Sequence, residues 1–465
     1  MDSAREAVSD PARMHRYGPE ADKLARRLAD LSVARLRDPV PLDGTATYEA
    51  LNAAAGDTVT AQGLGGDAVT TLWDEVLSRA CISTDHPRYL AFIPSAPAKA
   101  AAAFDMLIGA SSVYGGSWLE GAGAVYAENQ ALRWIADLAG LPAEAGGVFV
   151  QGGTAGNLSA LVAARAAVQR RRGSRPVRWA VLLSEETHSS VRHSLESVMD
   201  VDVIVIPGDE RGRMTGEAVA AWVAAATPEE REAVFAVVAT AGTTNLGVVD
   251  DIDGIADVCE AHDWWLHVDG AYGGAAMAAA SVRHLFAGVE RADSLIVDPH
   301  KWLFAPFDAC ALLYRDPVLA RAAHTQHASY LEVVNVDSEW NPSDFAVQLS
   351  RRARGLPFWF SLAVHGTDAY AEAIEQTLDT ARATHALIDN ADHLELLVEP
   401  DLSVLIFART GWTQDDYTAW SADLLARDVA FITPSRHRGQ VCTRIAVVNP
   451  LTTIADIARV LDSMR

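Results

Sequence analysis

Seven short apolar runs, each followed by a polar or glycine-rich turn, constrain this chain more than any other feature. They lie at residues 148–150, 180–183, 201–206, 233–239, 264–268, 294–297 and 311–314. Most are continuous and do not alternate with polar residues, the pattern of strands covered on both faces. Helical segments fall between several of them; one at 158–172 carries Leu158, Leu161 and Val162 on one side, with Gly173 just past its end. Strand–helix alternation of this kind predicts a largely parallel sheet wrapped by helices.

The flanks read differently. Residues 20–37 form an amphipathic helix with Leu24, Leu28 and Leu31 on one face, stopped by Pro39. A helix so placed either caps its own domain or packs on a second subunit. After Tyr370, residues 371–390 read as helix, 394–408 as strand and 454–464 as a closing amphipathic helix, together a small α+β lobe. At 465 residues the chain is too long for one simple core and fits two or three packed lobes. The expected boundaries are 1–98 for an N-terminal helical segment, 99–370 for the large domain and 371–465 for the small one.

A formal charge of −23 argues against a nucleic-acid or anionic-membrane binder, which needs a basic face. No run reaches the roughly eighteen apolar residues of a membrane helix, and residues 1–13 lack the apolar core of a secretion signal. Cys81, Cys259, Cys310 and Cys442 are scattered without metal-ligand or redox spacing. Buried, reduced thiols of a cytoplasmic protein, with no metal, are therefore expected.

Three motifs at strand ends carry chemistry. Gln151-Gly152-Gly153-Thr154-Ala155-Gly156-Asn157 joins a strand to a helix. Its free amides and the helix dipole favour a phosphate, with Thr154 able to cap the helix; an ordinary glycine turn is the other reading. His267-Val268-Asp269-Gly270-Ala271 ends a buried strand in a carboxylate, which is costly unless it is paired with a cation. A turn-capping aspartate is the alternative. Asp298-Pro299-His300-Lys301-Trp302 places a lysine in apolar and aromatic company, where desolvation favours the reactive amine. A lone lysine is ordinarily just solvated. Phosphate cup, acid and lysine on successive strands are together the parts that a pyridoxal 5′-phosphate site requires.

From His86-Pro87 to about Gly366 the chain resembles the group II pyridoxal-phosphate decarboxylases, the family of aromatic-L-amino-acid, tyrosine, tryptophan and glutamate decarboxylases. The resemblance rests on GGTAGNLSAL from Gly152, THSSV from Thr187, TAGTTNLG from Thr240, HVDGAYGG from His267, DPHKWLF from Asp298, SRRARGL from Ser350 and RIAVVNPLTT from Arg444. It implies the type I, aspartate aminotransferase-like α/β fold: a mainly parallel seven-stranded sheet with helices on both faces plus a small C-terminal α+β domain. It also implies α-decarboxylation of an L-amino acid, and a homodimer with shared active sites in which residues 20–37 are exchanged.

Position by position, the resemblance implies Lys301 as the imine-forming lysine, Asp269 at the pyridine nitrogen and Ala271 packed on the ring. It places His188 over the other ring face and Thr244 in a supporting hydrogen bond. Gly153 and Thr154 donate to the phosphate, with Asp298 and His300 beside Lys301. Asp298 stands where some relatives carry asparagine, and its carboxylate would repel a phosphate. Arg351, Arg352 and Arg354 are read as internal ion-pair partners. For the substrate, Ser95 falls where relatives line the pocket and Tyr114 in a segment that crosses the dimer interface. Thr84, Ile93 and Gly116 replace bulkier rings, Gly116 leaving space. An aromatic substrate is expected first, glutamate or another acidic amino acid second. The family's mobile loop falls within 324–347, with Tyr330, Trp340 and Phe345. Phe345 occupies the place of a tyrosine in many bacterial relatives, and loss of the loop tyrosine in plant relatives favours an aldehyde product. The alternatives are thus an aromatic aldehyde synthase or a non-catalytic cofactor-binding protein. A dinucleotide-binding dehydrogenase is disfavoured because the glycine spacing departs from G-x-G-x-x-G.

Overall fold

A computed structural model describes residues 12–94, 96–329 and 339–465. Two compact units divide between Ser83 and Thr84. In the first, α1 (Pro19–Arg37), α2 (Tyr48–Ala55) and α3 (Gly66–Leu72) are the main elements. The expected helix is present, started by Pro19 one residue earlier, and none of its residues is buried within the chain. Asp67 ties α3 to Lys23 and Arg27 of α1.

The second unit begins with α4 (Lys99–Ser111) and α5 (Trp118–Leu138). All seven apolar runs then become strands: β1 (Gly146–Val150), β2 (Ala180–Ser184), β3 (Asp202–Ile206), β4 (Val234–Thr240), β5 (Trp265–Asp269), β6 (Ser294–Val297) and β7 (Cys310–Tyr314). Between β1 and β2 lies α6 (Gly153–Arg172), between β2 and β3 the short α7 (Ser189–His193). Next come α8 (Gly216–Ala225) and α9 (Pro228–Ala233) before β4, and α10 (Ile252–His262) before β5. Gly173 ends α6 with φ 65°, a left-handed conformation that glycine adopts without strain.

The seven strands form one sheet in the order β1-β7-β6-β5-β4-β2-β3. Every pairing is parallel except the two made by β7, which runs antiparallel to β1 and β6. Strands β4 to β7 are buried along their whole length, which accounts for their unbroken apolar runs.

After β7 come α11 (Pro317–His324), α12 (Leu356–His365) and α13 (Thr367–Asp389), then β8 (Leu394–Val398), β9 (Val404–Arg409), α14 (Gln414–Ala426), β10 (Pro434–His437), β11 (Gln440–Ala446) and α15 (Ile454–Asp462). The stretch expected as one strand at 394–408 is two antiparallel strands, β8 and β9, turned at 399–403. They belong to a four-stranded sheet, β10-β11-β9-β8, the small α+β lobe. Helix α13 runs continuously across residue 370.

The SRRARGL arginines form the internal pairs expected of them. Arg351 makes a bidentate bond to buried Glu128 at 2.6 and 2.7 Å, Arg352 pairs with Asp105 and Arg354 with Asp308. All four cysteines are free; Cys259, Cys310 and Cys442 are buried, but Cys81 is exposed, against the expectation of four buried thiols. Among the described residues no helix is long and apolar enough to cross a membrane.

Candidate active site

Five strand ends and their following turns converge on one cavity of about 340 Å³. In an open sheet of this kind, ligands bind outside the carboxyl ends of the strands. Gly152, Gly153 and Thr154 reach it from the end of β1, His188 from β2, Thr240 and Thr244 from β4, Asp269, Ala271 and Tyr272 from β5, and Asp298, His300 and Lys301 from β6. Every residue that the motifs assigned to cofactor or catalysis therefore lines a single space.

Helix α6 opens at the floor of this cavity. Its N-cap is Gly152, with extended backbone and no side-chain cap, so the first amides stay free for an anion. Thr154 is thus inside the first turn and does not cap the helix as expected.

The lysine has an acidic neighbour. Lys301 Nζ lies 3.0 Å from Asp298 Oδ2, and His300 Nε2 lies 3.8 Å from the same oxygen. Burial pushes the Asp298 carboxyl upward, but Lys301 and His300 outweigh it and hold it below the usual carboxylate range. For Lys301, burial favours the neutral amine, yet Asp298 and then Asp269 prevail and raise its pKa above that of free lysine. The carboxylate expected to repel a phosphate is therefore the ammonium's counter-ion.

Asp269 is 5% exposed. Its Oδ2 accepts from Asn157 Nδ2 at 2.9 Å and its Oδ1 from Ala271 N at 3.1 Å. The turn-capping reading holds, and the same carboxylate lines the cavity. His188 accepts at Nδ1 from Ser190 N at 3.3 Å, which places its proton on Nε2. Burial lowers its pKa, partly opposed by Asp269, so the neutral ring prevails at pH 7. A buried oxygen on the wall, Thr240 Oγ1, has no hydrogen-bond partner among the described residues.

The expected neutral, desolvated amine is not what the site holds, because Asp298 keeps Lys301 an ammonium. The features still fit pyridoxal phosphate: an uncapped helix start for the phosphate, a cavity-lining lysine, a hydrogen-bonded carboxylate and an unsatisfied polar oxygen on the wall. The sequence agrees, since residues 58–410 match the pyridoxal-dependent decarboxylase conserved domain. The chain belongs to this family. As a pyridoxal-dependent decarboxylase it is a carboxy-lyase acting on amino acids, with pyridoxal phosphate as cofactor. It is 31% identical to the aromatic-L-amino-acid decarboxylase of Bacillus atrophaeus over 81% of this chain and 80% of that one. To the L-2,4-diaminobutyrate decarboxylase of Rhizobium meliloti it is 33% identical over 82% of this chain and 77% of that one. The crystal structure of Oryza sativa TDC with PLP and tryptamine shares its fold, at a TM-score of 0.83 and 23% identity over 99% of both chains.

Of the expected substrate residues, Tyr114 and Phe345 do not line this cavity. Phe345 is 3% exposed and stacks on Trp340 with ring centroids 4.3 Å apart, in the core between α6 and β7. It is a packing residue here and not part of the cavity wall. Tyr114 lies away from its own chain's cavity, its hydroxyl donating to Leu349 O at 3.3 Å. The space credited to Gly116 is filled by that same hydroxyl. Ser95 and Tyr330 lie outside the described residues. The motif reading passed over Asn157 and Arg444. Arg444 is 6% exposed and donates to the carbonyl of Thr244; a guanidinium inside a largely apolar strand was the available signal.

Proposed function

We propose that the enzyme removes the α-carboxylate of an aromatic L-amino acid and releases the amine. When bound, pyridoxal phosphate supplies a ring that accepts the electron pair left as carbon dioxide departs. The free amides of α6 with Gly153 and Thr154 would hold the phosphate, Lys301 Nζ would provide the covalent anchor, and Asp269 would pair with the ring nitrogen. Ala271 and His188 would pack against the ring, His188 offering Nε2–H to the substrate carboxylate, while Thr244 would support the site by hydrogen bonding. Lys301 Nζ, 3.0 Å from Asp298, would hold a proton for the α-carbon.

The charge of the cavity carries the choice of substrate. Among the described residues that line it, the one ammonium, Lys301, is paired with Asp298, and Asp308 is paired with Arg354, while Asp269 adds a further carboxylate. An acidic substrate side chain would find no unpaired cation on that wall, whereas a neutral ring would meet the half-exposed Phe307 and the buried Tyr272. The same acids would also suit a cationic side chain, so diaminobutyrate is the second reading, supported by the Rhizobium relative. Carbon dioxide release should be measured over a panel of L-amino acids, with the organic product identified by mass spectrometry. Tryptophan, tyrosine or phenylalanine giving amine is expected. Activity confined to diaminobutyrate or glutamate contradicts the substrate, and stoichiometric aldehyde, ammonia and peroxide contradict the product.

The proposal includes a cytoplasmic homodimer with α1 packed on the partner subunit. Helices α4 and α5 leave Met106, Leu107, Leu119 and Tyr126 exposed, an apolar surface that supports a second copy. Sedimentation should give a dimer; a fully active monomer would contradict this.

A further inference from the structure

Behind Asp269 runs a line of buried polar side chains that no step described so far uses. Trp265, His267 and Asp269 alternate along β5 and share one face of the strand. Ser294, on β6, is the register partner of His267. Asn157 comes from the first turns of α6. Trp265 Nε1 lies 2.8 Å from Ser294 Oγ, and Ser294 Oγ lies 2.8 Å from His267 Nδ1. His267 Nε2 lies 2.7 Å from Asn157 Oδ1, and Asn157 Nδ2 lies 2.9 Å from Asp269 Oδ2. All of them are buried, with exposures of 5% or less.

Donor chemistry fixes the direction of this line. The Asp269 carboxylate can only accept, so the Asn157 amide N–H faces it and leaves Asn157 Oδ1 toward His267 Nε2. The neutral ring's Nδ1 then accepts from Ser294 Oγ–H, and Ser294 Oγ accepts from the indole N–H. A neutral His267 then carries its proton on Nε2 and donates to Asn157 Oδ1, which turns the amide N–H toward Asp269. The imidazole stays neutral because burial pushes its pKa down to about 4. With Asn157 on Oδ2 and the Ala271 amide on Oδ1, both oxygens are held, and the carboxylate lines the cavity.

We propose that Asn157 and His267 are positioning residues for the ring-nitrogen contact of Asp269: the relay from Trp265 locks the carboxylate in the orientation that contact needs. This rests on the assignment of Asp269 above. Its test compares the affinity of cofactor-free protein for pyridoxal 5′-phosphate with that for the 1-deaza analogue, in which a carbon replaces the ring nitrogen. Tryptophan fluorescence or equilibrium dialysis gives both constants without turnover.

Wild type should prefer the natural cofactor. In Asn157→Leu that preference should fall at least tenfold, while affinity for the analogue changes less than twofold. His267→Leu should show the same selective loss, His267→Gln should recover most of it by restoring a donor to Asn157, and Ser294→Ala should be intermediate. Parallel loss of both affinities, or an unchanged ratio in folded variants, overturns the proposal. Should Asn157→Leu and His267→Leu fail to fold, Ser294→Ala decides: an unchanged ratio there overturns it equally. A wild type that binds both compounds without preference refutes the Asp269 assignment itself.

Discussion

Asp298→Asn should make Lys301 capture its cofactor faster at neutral pH. The wild-type carboxylate lies 3.0 Å from Nζ, and at an effective dielectric of about 20 such a contact is worth about 5 kcal/mol gross. A quarter of the lysine side chain is exposed and Asp269 remains, so screening leaves only part of this. Without Asp298, burial pulls the Lys301 pKa down. Capture requires the neutral amine, whose fraction below the pKa grows as the pKa falls. The rate near pH 7.5 should therefore rise about tenfold or more. Stopped-flow absorbance on mixing cofactor-free protein with pyridoxal phosphate across pH gives the rate. Pyridoxal, which lacks the phosphate, separates the effect on the amine from relief of phosphate repulsion. A pH–rate curve that superimposes on wild type with pyridoxal, or moves to higher pH, refutes the reasoning.

Arg351→Leu strands the buried Glu128 carboxylate with only the Gly355 amide at 2.7 Å, and should destabilise by about 3–5 kcal/mol; a urea-denaturation loss below 1 kcal/mol would contradict the pairing. Phe345→Ala should cost about 3–5 kcal/mol as a core truncation and leave the amine share of the product unchanged in mass spectrometry. A shift to aldehyde would return Phe345 to the chemistry. His267 has a folded pKa of about 4, below the ordinary imidazole value of 6.5, so the unfolded chain takes up its proton first. Its contribution is fully present above pH 6.5 and is lost as pH falls toward 4. Relative to the non-titrating His267→Gln, wild type should lose about 3 kcal/mol between pH 7 and 4; a pH-independent difference in chemical denaturation would contradict this.

The strands were legible because burial on both faces writes an unbroken apolar run, and the motif residues because each ends such a run. What pairs with what is not local. Nothing in residues 310–314 says that β7 returns antiparallel between β1 and β6. Thr154 was misread as a cap because glycine at 152 gives the helix an earlier start. Gly116 was misread as space because its filler, the hydroxyl of Tyr114, is two residues away in the chain. Phe345 is an aromatic residue in an expected loop, and only its stack on Trp340 and burial beside Tyr314 reveal packing. The Asn157–His267 contact joins residues 110 apart. Its one sequence trace is the alternation of Trp265, His267 and Asp269, hidden among the apolar residues of β5.

The covalent bond at Lys301 is the direct test of the whole account. Holoenzyme should be reduced with borohydride, digested and sequenced by mass spectrometry, with Lys301→Ala alongside. The account predicts a reduced pyridoxyl group on the peptide containing Lys301, a bleached cofactor absorbance band, and neither in the variant. An unmodified Lys301, or a group found on another lysine, would contradict it.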